Sequence, residues 1–178
     1  MALEEKGVWD AQAAEWYVLW THSHCEQLVA DQLATKGFEL FVPKMKVWSR
    51  RRDAKHLIEV PMFPGYLFLH RAMDKASYLD ICKARGLVRV LGERWDQLEV
   101  VPDAEIKGIQ RVQHAGGQVR PHPYLRVGQR VRITHGPLAD VEGIFVRAKP
   151  NKGLLVVSIG LLQRAVAVEV DCTLVTAA

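Results

Sequence analysis

The sequence lacks the marks of several large functional classes. No apolar run is long enough to span a membrane, and no basic segment precedes an apolar one at the start, so neither a secretory signal nor a membrane anchor is expected. A cytoplasmic location is expected. Cysteine is scarce: Cys25, Cys82 and Cys172 are odd in number, far apart and without a Cys-x-x-Cys pair, which argues against a disulfide framework or a structural zinc site. They read as buried thiols. The group His22, His24 and Cys25 has no second ligand pair at usable spacing and reads as surface residues at a strand end, so no metal is assigned. Phosphate-cradling, metalloprotease and nucleophile-elbow signatures are also missing. No enzymatic activity and no cofactor are expected.

What is present suits a globular protein. The 178 residues fit one medium domain or two small ones, and 49% hydrophobic content supplies a real core. The formal net charge of +4 is unevenly spread: residues 1–42 hold two Lys or Arg against seven Asp or Glu, whereas residues 43–72 hold seven against two. Lys44, Lys46, Arg50, Arg51, Arg52 and Lys55 crowd one short stretch. Such a patch is either a solvated hairpin tip or a contact for phosphate or another acidic surface. A few phosphate contacts alone give weak, sequence-blind, salt-sensitive binding, so something else has to deliver the patch to its target.

The pattern along the chain predicts elements. Trp16 to Thr21 suits a mostly buried strand. Ser23 and Glu26 have capping-box spacing for a helix with Cys25, Leu28, Val29 and Leu33 on one face and Gly37 as its stop. Phe38 to Val42, Val47 to Trp48, Leu57 to Val60 and Tyr66 to Leu69 read as strands, with the arginines at a hairpin tip. A second helix fits Lys75 to Ala84, capped by Asp74, with Tyr78, Leu79 and Cys82 inward. Val88 to Leu91 returns as a strand, and Pro102-Asp103 opens a third helical stretch with Ile106 and Ile109 on one side.

Gly116, Gly117, Pro121 and Pro123 then interrupt the pattern. Beyond them come only short strands: Gln129 to Thr134, Gly143 to Arg147, Leu154 to Ile159 and Ala165 to Val170, with Val166, Val168 and Val170 inward. The expected class is α+β: a sandwich of helices on an antiparallel sheet, followed by a small SH3-like β-barrel. The boundaries are a flexible tail at 1–14, a first domain at 15–114, a linker at 115–124 and the barrel at 125–178.

The most informative stretch is Glu59 to His70, in which Pro61, Pro64 and Gly65 stiffen a bend beside Phe63 and Tyr66. Together with Trp16-Tyr17-Val18-Leu19, Pro43, Arg85-Gly86-Leu87-Val88 and Val101-Pro102-Asp103, this stretch resembles the N-terminal domain of the NusG family. Val127 to Ile133, followed by Gly136-Pro137-Leu138-Ala139-Asp140 and Gly143, resembles the KOW motif that such proteins carry next. The resemblance covers about residues 15 to 176, in order.

That resemblance implies a transcription elongation and antitermination factor, monomeric, working at the nucleoid with transcribing polymerase. Tyr17, Trp20, Phe63, Pro64 and Tyr66 would grip the clamp helices of the largest polymerase subunit, with Phe68 and Leu67 left to strand packing. Lys44, Lys46, Arg50, Arg51, Arg52 and Arg85 would meet non-template DNA of the transcription bubble. Leu138 and Leu162 match barrel positions that contact Rho or a ribosomal protein. The basic hairpin and the spelling Pro-Met-Phe-Pro-Gly-Tyr-Leu-Phe are closest to the specialised, RfaH-like paralogues that act on selected operons. Arg85 matches their base-contacting arginine. Two of their features are absent: Ala76, Ser77 and Tyr78 stand where a His-Thr-Thr element lies, and Val60 and Lys152 where a Glu and an Arg pair across the domains. With a Val-rich C-terminal segment, the barrel is expected to stay a barrel, mobile on its linker. The rival reading is a KOW-containing RNA-binding or ribosome-associated module without polymerase binding.

Overall fold

The computed structural model describes residues 13–51, 54–122, 124, 128–149 and 152–178. Most of the expected tail, Arg52, Pro123, Val127 and Asn151 lie outside the described residues, as do the side chains of Arg50, Arg51, Lys55 and Cys172. Strand β1 (Glu15–Thr21) leads into helix α1 (Glu26–Ala34), β2 (Glu39–Phe41) and a long hairpin of β3 (Lys44–Arg51) and β4 (Ala54–Pro61). Then come β5 (Tyr66–Arg71), α2 (Lys75–Cys82), β6 (Leu87–Val90), a small hairpin of β7 (Gly92–Arg94) and β8 (Gln97–Leu98), and β9 (Val100–Val101). Helix α3 (Asp103–His114) ends the first half. The second half holds β10 (Val119–His122), β11 (Gln129–Ile133), β12 (Glu142–Lys149), β13 (Lys152–Ile159), β14 (Arg164–Asp171), a 3-10 turn at Cys172–Leu174 and β15 (Val175–Ala177).

The first sheet runs β2-β5-β1-β6, with β9 also on β1, and every pairing is antiparallel. Side chains alternate across a strand, so β1 serves two cores. Trp16 and Val18 join Phe68 and the α3 residues Ile106, Ile109 and Val112 on one face, while Tyr17 and Leu19 join Val29, Leu33 and Ile81 of α1 and α2 on the other. The second sheet runs β10-β14-β13-β12-β11-β15, again antiparallel, and its inward Val166, Val168 and Val170 pack with Val131, Ile133 and Leu155. Architecture and class are those expected: α+β, with an all-β C-terminal unit.

Several local expectations change. Helix α1 has Cys25 at its N-cap with no side-chain capping bond, and its buried residues are Glu26, Val29, Ala30 and Leu33, leaving Leu28 exposed. In α2, Asp74 does cap, accepting the Ser77 N–H at 2.6 Å, and that bond holds its carboxyl below the usual carboxylate range. Ile81 and Ser77 face inward there, whereas Leu79 and Cys82 are exposed, because the apolar stripe is one position out of step with the reading. Cys25 is half-buried, so neither described thiol is a core residue. Val119–His122, placed in the linker, forms a strand paired along β14: a proline on an edge strand forfeits no ladder bond, so Pro121 does not break it.

The C-terminal unit packs against the first half. Its core residues Val141 and Val157 are continuous with Ile106, Ile109 and Val112 of α3. Gly108 faces this contact: a Cβ there would sit 3.3 Å from Val157 Cγ1. Glycine within a helix is unfavourable by about 1 kcal/mol relative to alanine, and here it lets the sheet come close.

The glycine of the KOW segment has a similar reason. A Cβ on Gly143 would lie 2.4 Å from the Val156 carbonyl oxygen across the β12–β13 pair, a distance no side chain tolerates. Gly143→Ala is therefore expected to destabilise the C-terminal unit by about 1–3 kcal/mol, read as a lower denaturant midpoint.

Candidate functional site

The Pro-Gly bend forms a type II turn. Pro64 takes the second position, Gly65 the third with φ of 86°, and the Tyr66 N–H donates to the Phe63 carbonyl at 3.0 Å. Beyond the turn, β5 pairs with β1 so that Tyr66 lies opposite Trp20, and β1 pairs with β6 so that Trp20 lies opposite Arg89. Tyr66, Trp20 and Arg89 thus form one row across the sheet, with the Arg89 guanidinium 6.0 Å from the Trp20 ring. Trp20 is 40% exposed, Pro64 is exposed and Tyr66 is half-buried.

Of the five residues expected to grip a partner, three meet here and two do not. Tyr17 is buried on the opposite face of β1, where the two-residue period of a strand puts the neighbour of Trp16 and Val18. Burial is also the first cause that raises its phenol pKa. Phe63 is 1% exposed and meets Phe68 edge to face at 6.1 Å, so it anchors the turn from below. The boundary between exposed and packed residues therefore differs from the reading: Phe63 packs with Phe68, Pro64 is exposed and Tyr66 is half-buried.

The C-terminal unit rests against this row. The Arg164 guanidinium lies 5.4 Å over the Tyr66 ring, and Leu161 and Leu162 of the β13–β14 turn pack against the shared core. Leu138 is 8% exposed in that core and Leu162 is half-buried, so neither is openly displayed in this arrangement. Helix α3 is the seat. The Gly160 N–H donates to Glu105 Oε2 at 3.1 Å, and Arg111 donates to the Ala139 carbonyl beside Asp140. On its other side α3 holds the first half: Asp103 accepts from Trp16 Nε1 at 3.3 Å and Gln113 accepts the Lys44 N–H at 2.9 Å.

Lys44, Lys46, Arg50 and Arg51 share strand β3, whereas Arg85 lies apart, after α2. Lys44 and Lys46 project from β3, with Lys44 Nζ donating to Gln27 at 2.8 Å. Trp48 on the same strand is 65% exposed opposite Leu57, an apolar display that the strand reading of Val47-Trp48 did not anticipate. Arg85 lies after α2, its side chain exposed and its backbone gripped twice: Gln32 Nε2 donates to its carbonyl at 2.9 Å and Gln32 Oε1 accepts its N–H at 3.0 Å. Gln32, Arg89, Glu105 and Arg164 were missed by sequence reading, and Glu26 was read only as a capping residue. Glu105, at acidic first-turn spacing in α3, and Glu26, at capping-box spacing, each have an ordinary local explanation that hides the long-range partner.

The comparisons with known proteins agree with this architecture. The family model described as transcription termination factor nusG matches residues 14–110, just over half of the chain. The transcription termination/antitermination protein NusG of Escherichia coli K12 is 28% identical, over 91% of this chain and 95% of that protein. The protein of that name from Buchnera aphidicola (subspecies Acyrthosiphon pisum) is 27% identical over the same shares. Among solved structures, one describing the domain interaction in Thermotoga maritima NusG superposes with a TM-score of 0.56 at 20% identity, covering 94% of this chain and 98% of that one. No helix among the described residues is long and apolar enough to cross a membrane.

Two predictions follow from the seat on α3. Gly108→Gln should prise the C-terminal unit away, because the longer side chain meets Val157, and small-angle scattering should record a larger radius of gyration. Burial, only partly offset by the Gly160 N–H, raises the Glu105 pKa. A carboxyl that regains its ordinary value on opening makes the seated form the stronger proton binder. Seating is thus favoured below the ordinary glutamate range and loses ground as pH climbs through the raised value. Energy transfer between probes on the two units should fall over that window, and Glu105→Gln should flatten the change. On the matched family model, the near-complete overlap with its relatives and the shared order of elements, the chain belongs to the NusG family of transcription factors.

Proposed function

We propose that the chain is a specialised elongation and antitermination factor that docks on the clamp helices of the largest RNA polymerase subunit and acts on selected operons. The observation that carries this reading is the row Tyr66–Trp20 beside Pro64: an exposed indole, a half-buried phenol under Arg164 and an exposed proline, fixed on a rigid sheet and a stiff turn. Burying a large side chain contributes roughly 1.5–3 kcal/mol, and rings that are already immobile lose little entropy on docking. A few of them suffice for about micromolar affinity after association costs.

Docking then delivers the charge. Lys44, Lys46, the arginines of the hairpin tip and Arg85 bind nucleic acid weakly by themselves, but held beside the transcription bubble they act at high local concentration on the non-template strand. Arg85 suits base contact through its planar fork. Trp48 adds a stacking surface next to Lys46. The C-terminal unit, in this reading, lifts from Tyr66 on docking and offers Leu162 and its surroundings to Rho or a ribosomal protein. Departure costs the Arg164–Tyr66 contact, roughly 0.5–1 kcal/mol for a partly exposed pair, and the apolar seat on α3.

Polymerase titration tests the reading. Tyr66→Ala and Trp20→Ala should each weaken binding by roughly tenfold with little change in its salt dependence, since they remove apolar contact. Lys46→Ala should reduce the salt slope for DNA and leave polymerase retention intact. Retention unchanged by both aromatic variants but abolished by salt would favour the RNA-binding module instead.

A further inference from the structure

Glu26 is a buried carboxyl with a job outside its own helix. It is the first residue of α1 and 5% exposed, and its Oε1 accepts the Gly65 N–H at 2.6 Å from 39 residues away. The Gly65 carbonyl in turn accepts the Thr21 N–H at 2.8 Å. The only positive-φ residue of the docking turn is thus held at both of its backbone polar groups, by two different elements.

The first of these bonds reinforces the turn type. Types I and II differ by a flip of the central peptide, and in this turn that peptide joins Pro64 to Gly65. Its N–H belongs to Gly65. In the type II form it points to Glu26; in the type I form it would turn away, leaving the buried carboxyl without this partner and swinging the Pro64 carbonyl to the other side of the turn. A buried acceptor that loses its donor is costly, so the carboxyl biases the peptide strongly toward one state. Pro64 and Gly65 already favour type II locally, and the Tyr66–Phe63 hydrogen bond is common to both turn types, so the Glu26 bond adds a long-range bias to a local one.

We propose that Glu26 is a positioning residue for polymerase docking: it locks the Pro64–Gly65 peptide so that the apolar turn is presented in one shape. The role rests on the docking reading above and acts through preorganisation, since a turn that alternates between two peptide orientations must be restricted at the moment of binding.

The test uses the full-length chain with Glu26→Ala, Glu26→Gln and Tyr66→Ala, read by hydrogen exchange at the Gly65 amide and by titration with RNA polymerase core enzyme. Glu26→Ala should speed Gly65 exchange at least tenfold and weaken polymerase binding by roughly tenfold. Glu26→Gln, whose amide oxygen has the same reach, should restore most of both. A general loss of fold would instead speed exchange across the strands around the turn. Unchanged Gly65 exchange in Glu26→Ala overturns the lock. Faster exchange with unchanged polymerase affinity, while Tyr66→Ala weakens binding, overturns the positioning role and leaves docking standing. Polymerase binding unaffected by Tyr66→Ala overturns the docking reading and this role with it.

Discussion

Helix α3 is the element on which both halves depend. Ile106, Ile109 and Val112 cover the sheet face built from Trp16, Val18 and Phe68, and the same apolar group runs on into the core around Val141, Val157 and Val166. Each fully buried aliphatic side chain contributes roughly 1.5–3 kcal/mol, so three on one short helix form a substantial part of the joint. The polar residues around them divide by side. Asp103 and Gln113 turn to the first half, whereas Glu105, Gly108 and Arg111, three residues apart, turn to the second.

A helix with two partners also sets the surroundings of the Tyr66–Trp20 row. With the C-terminal unit on α3, Arg164 lies over Tyr66 and Leu162 is half-buried, while Trp20 of the same row stays exposed. The row is otherwise preformed. Its sheet register, the type II turn, and the clamps of Glu26 on Gly65 and Gln32 on Arg85 owe nothing to the C-terminal unit.

Much of this was legible before any coordinates. Strand alternation in the valines of β14, the Asp74 cap, the Gly37 stop and the Pro-Gly turn are local features, governed by side-chain period and by backbone preferences of single residues. The family resemblance lay in order along the chain for the same reason. Where reading failed, the competing explanation was equally local: Phe63 beside a bend looks as exposed as Pro64, and Glu26 three residues after Ser23 looks like a capping residue. Tyr17 next to Trp16 belongs to the same aromatic run yet faces the other core.

The sequence by itself determined the α+β order of elements, the all-β second half, the basic hairpin and the Pro-Gly turn, because these follow from hydrophobic period, turn chemistry and charge along a short stretch. Only tertiary structure decided which aromatic rings are offered, that Glu26 holds Gly65, and that the C-terminal unit sits on α3 over Tyr66. The last two of those outcomes depend on partners between 39 and about a hundred residues apart. Packing between distant surfaces, unlike local propensity, leaves no periodic trace in the chain.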